Sequence, residues 1–238
     1  MQSGKLFLIP TVIAEGTQEA VIPQQVRQVL PLLDYFLAEY IRTARRFLSS
    51  LKVYQSIEAL HFETLDKDTP ERDLGRLLQP LLLGKSIGLL SESGCPGIAD
   101  PGSLAVRWAH SNKVQVVPLV GPSSLLLALM ASGLNGQQFA FHGYLPVEPQ
   151  QLVARLRELE KESRSKNQTQ IFIETPFRNN HLFDHLKKTL HPATHLFVGL
   201  DLTSPGEFAQ TQTIEQWRKS PVAWPKAPAV FLFLASPN

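Results

Sequence analysis

Ser91-Glu92-Ser93-Gly94-Cys95-Pro96-Gly97-Ile98-Ala99-Asp100-Pro101-Gly102 is the stretch on which the fold reading turns. It stands between an apolar run at 86–90, read as a buried strand, and a helical pattern at 102–111. Open α/β sheets bind ligands at the carboxyl ends of their strands, which is where this segment falls. Its three glycines let backbone amides approach a ligand closely, and its two prolines hold the turn. Neither GxGxxG nor GxxxxGK[ST] occurs, which sets aside a dinucleotide fingerprint and a phosphate-binding P-loop. The segment reads as a small-molecule binding loop.

Working outward, Lys5-Leu6-Phe7-Leu8-Ile9 predicts a buried strand stopped by Pro10, followed by a loop at 11–16. Residues 24–33 have helical spacing with a kink at Pro31, 34–40 read as a second strand, and 41–51 as a helix. A further helix runs from Pro70 to Leu83, and 114–118 form another strand. Alternating strands and helices predict a parallel sheet with crossover helices. Gly121-Pro122-Ser123-Ser124 opens a new helix toward Gly133, so the linker near Leu119 divides the chain into domains 1–118 and 119–238. The second half has strands at 139–143, 170–174, 195–200 and 229–235, with helices at 150–161 and 179–190.

The bulk properties agree with two α/β domains. The chain has 238 residues, 43% hydrophobic and 18% charged, enough apolar material for two cores and too much for disorder. A net charge of +2 does not by itself mark a nucleic-acid partner, so an RNA substrate requires a local basic patch. The single cysteine, Cys95, excludes a disulfide framework and any multi-cysteine zinc site, and fits the cytoplasm. No segment approaches the ~18 apolar residues of a membrane span, and the apolar run before Pro10 is too short for a signal peptide.

Among chemistry-bearing residues, Arg42, Arg45 and Arg46 form a basic stripe opposite Ala44, Phe47, Leu48 and Leu51; it reads as a solvated helix face or as an RNA-facing surface. Cys95 has no neighbouring base and reads as a lining residue rather than a nucleophile. Glu39 with Arg42 reads as an ion pair at a strand-to-helix junction or as a substrate-side catalytic pair. His61 and Glu63 fall in a stretch read as a loop, and no metal-ligand spacing surrounds them, so no metal is expected.

The central stretch, followed by VVPLVGPSSLLLALMASGL, resembles the tetrapyrrole methylase superfamily of S-adenosylmethionine-dependent enzymes. LFLIPT, AEYIRTARRFL, FHGYLP and ETPFRN extend the resemblance over most of the chain, and it is nearest to the 16S rRNA ribose 2′-O-methyltransferase type. The resemblance implies two α/β domains with the cofactor in the cleft between them, and a homodimer. By matching position it implies cofactor contacts at Pro10, Gly94, Cys95, Pro96, Ile98, Ser123, Ser124, Thr175, Pro228 and Ala229. Glu39, Arg42, Glu92, Glu174 and Arg178 are the charged residues that the matching motifs place near the cleft. The chain departs from the family at Ala14-Glu15-Gly16, at Tyr40-Ile41-Arg42, at Phe177-Arg178, and at residues 199–207, where Asp201 and Glu207 stand in a segment that is basic in the family. The expected substrate is a ribose of small-subunit rRNA, with a tetrapyrrole or other small metabolite, or a cofactor-binding module without catalysis, as alternatives.

Overall fold

The computed structural model describes residues 3–220 and 222–236. Its contacts divide the chain into two compact units between Ser123 and Ser124, a few residues beyond the Leu119 linker. Among the described residues no helix is long and apolar enough to cross a membrane.

The first unit is built on strands β1 (Lys5–Ile9), β2 (Tyr35–Ala38), β3 (His61–Thr64), β4 (Ile87–Leu90) and β5 (Gln115–Pro118). They lie in the order β3-β2-β4-β1-β5, and every pair is parallel, as the alternating pattern predicts. Helices α1 (Gln18–Val21), α2 (Gln24–Val29), α3 (Ile41–Ser50), α4 (Leu74–Leu82) and α5 (Gly102–Ser111) complete it. β2 and β4 are buried throughout because both faces of the sheet are covered. On one face Ile9, Phe36 and Leu90 pack with Val26 of α2 and Ala44, Phe47 and Leu48 of α3. On the other, Leu6, Leu37 and Leu89 pack with Leu74, Leu77, Leu78 and Leu81 of α4 and Ala105 and Ala109 of α5. Gly88 is required within β4, since a Cβ there would stand 2.6 Å from the Phe36 ring.

Two expectations need correction. Residues 61–64 are not a loop but the edge strand β3, whose Phe62 stacks on Phe36 and whose polar His61 and Glu63 sit at the sheet margin. The helix expected from Pro70 begins instead as a single tight turn at Glu71–Asp73, and the α-helix proper starts at Leu74.

The second unit contains α6 (Ser124–Ser132), β6 (Phe139–Tyr144), α7 (Pro149–Lys166), β7 (Thr169–Glu174), α8 (Asn179–Thr189), β8 (His195–Leu200), β9 (Phe208–Thr213), α9 (Ile214–Lys219) and β10 (Ala229–Leu234). Its sheet runs β6-β7-β10-β8-β9; β6 and β7 are parallel and the remaining pairs antiparallel. Helices α7, α8 and α9 cover one face through Leu156, Phe183 and Trp217, against Phe172, Val198 and Phe231. The other face packs against Ala128 and Leu129 of α6 through Ile171, Phe197, Val230 and Leu232. β9 and α9 escape a search for apolar runs because β9 is an edge strand of largely polar residues. The box Thr213 to Gln216 that caps α9 is nonetheless visible in the sequence as T-x-x-Q.

Candidate functional site

In the first sheet, β1 leads toward β2 on one side of β4, while β4 leads to β5 past β1 on the other side. The loops after the neighbouring strands β1 and β4 therefore part at their carboxyl ends, and such a switch point opens a crevice. Residues 91–102 fill this place. Thr11 N–H donates to Gly94 O at 2.9 Å and Ser91 Oγ donates to the same carbonyl at 3.0 Å, which ties the loop to the end of β1. Gly94 and Gly97 have φ of +74° and +84°, a region that a side chain strains. Ala99 also lies there, at φ +58°. Asp100 Oδ1 accepts from Gly97 N–H at 2.6 Å and Gly102 N–H at 2.9 Å and so closes the turn.

A second segment meets this loop. Cys95 Sγ contacts Pro122 O at 3.3 Å, and a Cβ on Gly121 would stand 2.1 Å from Pro10 Cβ. The first unit thus brings Pro10, Gly94, Cys95, Pro96 and Ile98 to one corner, with Ser123 following Pro122. Ile98 is half exposed, whereas Pro96 is buried. Burial pushes the Cys95 thiol up, so the protonated form prevails and the residue is a poor nucleophile.

Carboxylates gather beside the loop. Glu39 follows β2 and Glu92 follows β4, its neighbour in the sheet. Burial raises the Glu39 carboxyl; nearby Asp100 and Asp66 push it further, and Lys67 opposes them. Glu92 is likewise raised, first by burial; the hydrogen bond from Thr43 opposes this, Glu39 adds to it, and the Tyr40 backbone opposes it. Asp100 is raised by burial against the two backbone N–H groups that hold it. The expected Glu39–Arg42 ion pair is absent among the described residues, and Arg42 is exposed in the first turn of α3. Along that helix Arg46 pairs with Glu15 at 3.2 Å and Arg45 lies over the Phe62 ring at 5.1 Å.

The second unit gathers its own expected residues at one end of its sheet. Ala229 pairs with both Glu174 and Leu200, so Thr175, Pro228 and Ala229 stand side by side. Asp201 N–H donates to Pro228 O at 3.0 Å and closes this end. The fully buried Glu174 carboxylate accepts from Thr175 N–H at 2.7 Å and faces Arg178 at 3.0 Å, at an angle that leaves that contact ionic rather than hydrogen-bonded. Asn179 fixes the incoming chain through Ala227 O at 2.6 Å. Ser124 opens α6.

Asp100 has a signal in the sequence, since an aspartate three residues after Gly97 in such a turn is the expected acceptor for its backbone. Thr11 and Thr43 have no such signal, because a lone threonine says nothing of its partner. Thr203, at φ +75° with its hydroxyl buried and unpartnered, is a strained residue beside the same end of the second sheet. Among the described residues no group of three or more His, Cys, Asp or Glu could hold a metal ion.

No family model matches the chain. It is 32% identical to ribosomal RNA small subunit methyltransferase I of Vibrio cholerae over 86% of its own length and 67% of that protein. It is 30% identical to the protein of the same name from Leptospira biflexa, over 87% of this chain and 80% of that one. Among solved structures, diphthine synthase superposes with a TM-score of 0.69 at 14% identity, covering 98% of this chain and 90% of the other. That likeness carries the fold, and the sequence identities carry the family. The chain is a methyltransferase and belongs to the ribosomal RNA small subunit methyltransferase I family.

Proposed function

We propose that this methyltransferase moves the methyl group of S-adenosylmethionine to the 2′-hydroxyl of a ribose in small-subunit rRNA. The observation that carries the proposal is the loop at the switch point between β1 and β4, with raised carboxylates beside it and the arginine-bearing α3 starting just after Glu39. Gly94, Gly97 and Gly121 carry no side chain at this corner, which suits close backbone approach of an adenosyl-sized ligand. Pro10, Gly94, Cys95, Pro96, Ile98, Ser123, Ser124, Thr175, Pro228 and Ala229 are the residues proposed to hold the cofactor.

When bound, S-adenosylmethionine supplies a methyl group on a sulfonium, a good leaving group. The chain's own part is then alignment, which converts an encounter into a near-unimolecular step. A ribose hydroxyl is a weak nucleophile, and Glu39 is the carboxylate proposed to take its proton. Burial and two acidic neighbours make it a stronger base than a solvated glutamate. Glu92, held by Thr43 and the Tyr40 backbone, keeps the start of α3 in place. Arg42, exposed in that first turn, is proposed to meet the RNA phosphate beside the reacting ribose.

The protein is proposed to act in the cytoplasm as a homodimer. Cys95 as the chain's single cysteine fits a reducing compartment. Leu126 and Met130 of α6 are 53% and 79% exposed, an apolar helix face that suits a second copy. Incubating small ribosomal subunits with labelled S-adenosylmethionine, then digesting the RNA for nucleoside mass spectrometry, tests the main reading. A labelled 2′-O-methylnucleoside is expected; label in small metabolites alone would overturn it.

A further inference from the structure

Eleven basic and nine acidic side chains lie in residues 124–238, whereas residues 1–123 hold twelve of each, so the net charge of +2 belongs to the second unit. Much of that charge lies on α7, whose carboxylates are all committed. Glu158 pairs with Arg155 at 2.5 Å and Glu162 with Lys166 at 2.6 Å. Glu160 Oε1 accepts from His191 N–H at 2.8 Å and from Thr194 Oγ1 at 2.5 Å, which turns it toward the loop before β8. Glu148, which precedes the helix, caps it through Gln150 and Gln151 N–H.

Arg157, Lys161 and Arg164 are left on one face, spaced i, i+4 and i+7. They line an open groove of about 310 Å³ together with Glu160 and Ser165. Arg157 and Lys161 are exposed, and neither makes an ion pair among the described residues. Arg164 Nε donates to Ser236 O at 3.3 Å, just past the end of β10. The groove therefore lies at the end of the second sheet opposite to Thr175, Pro228 and Ala229. The six residues of β10 between the two ends span about 20 Å, beyond the reach of one nucleotide but within a short RNA helix. Glu160 lines the groove beside the three cations and is held there by His191 N–H and Thr194 Oγ1, which leaves the groove with three positive side chains against one negative.

We propose that this groove holds the phosphate backbone of the RNA at a distance from the methylated ribose. The proposal rests on the rRNA reading above. Phosphate contacts of this kind fix the register of the substrate and read no sequence. They explain how a chain of low net charge holds a polyanion: its cations are placed rather than numerous.

Arg157→Ala with Lys161→Ala tests it in the full chain, since both side chains are exposed and alanine favours the helix. Filter binding of 16S rRNA between about 50 and 200 mM salt should show affinity lowered about tenfold and the salt slope reduced by about 1.5. S-adenosylmethionine binding should be unchanged. Arg72→Ala with Arg107→Ala removes the same charge from the first unit and should have a smaller effect. Equal losses in both double variants, or no change in the groove variant, overturn the groove while leaving the rRNA reading intact. Failure of the unsubstituted protein to bind rRNA overturns both. Binding to anionic phospholipid vesicles that depends on Arg157 and Lys161, with rRNA affinity unaffected, also overturns it.

Discussion

Asp100 shows how one side chain sets a binding loop. Its Oδ1 takes both Gly97 N–H and Gly102 N–H, so Asp100→Ala should lower stability by about 1–3 kcal/mol, measured by denaturant unfolding. Asp100→Asn keeps an acceptor at the same place and should cost less. The pH dependence separates them further. Because burial raises the Asp100 carboxyl, its contribution to stability is full below the unfolded value and is lost as pH rises through the folded one. That limb should vanish in Asp100→Asn. Glu39 gives the kinetic counterpart: turnover should rise as pH rises through its elevated value and then level off. Glu39→Gln should lower kcat about 100-fold or more in methyl transfer to 16S rRNA and remove that limb. Cys95→Ala should keep most activity, since the protonated thiol is a poor nucleophile and makes only weak contacts, to Gly121 O and Pro122 O.

Whole elements place these residues. β4 is buried on both faces, so its carboxyl end is held rigidly and the loop after it inherits that rigidity. The backbone at Gly121 depends on the same precision, since it packs on Pro10 with no room for a Cβ. Gly121→Ala should displace one of the two segments, cost about 1–3 kcal/mol by overpacking, and weaken S-adenosylmethionine binding in calorimetry. α3 combines two tasks: Ala44, Phe47 and Leu48 anchor it to the core, and Arg42 and Arg46 stay exposed. Helical periodicity made that division legible in advance, because side chains three and four apart share a face. β3 was not legible, since its exposed polar residues carry no apolar run and only pairing with β2 makes it a strand.

At the scale of the molecule, α6 is apolar around its whole circumference, yet only one of its faces is buried in the second unit. Leu126→Glu with Met130→Glu should convert the proposed dimer to a monomer, read by light scattering after size exclusion. The buried residues of α6 are untouched, so circular dichroism should be unchanged.

The sequence by itself determined the class of fold, the strand-loop-helix setting of residues 91–102, and the order of motifs that carries the family. These are local properties: periodicity, turn chemistry and spacing are written along the chain. Tertiary structure alone decided that β4 enters between β2 and β1, which brings Glu39 beside Glu92, and that β5 pairs with β1, which brings Pro10 beside Gly121. It also decided that Glu160 of α7 is held by the loop before β8, through His191 and Thr194. Pairing between residues far apart in sequence has no local signature, because its energy appears only when the strands and helices pack.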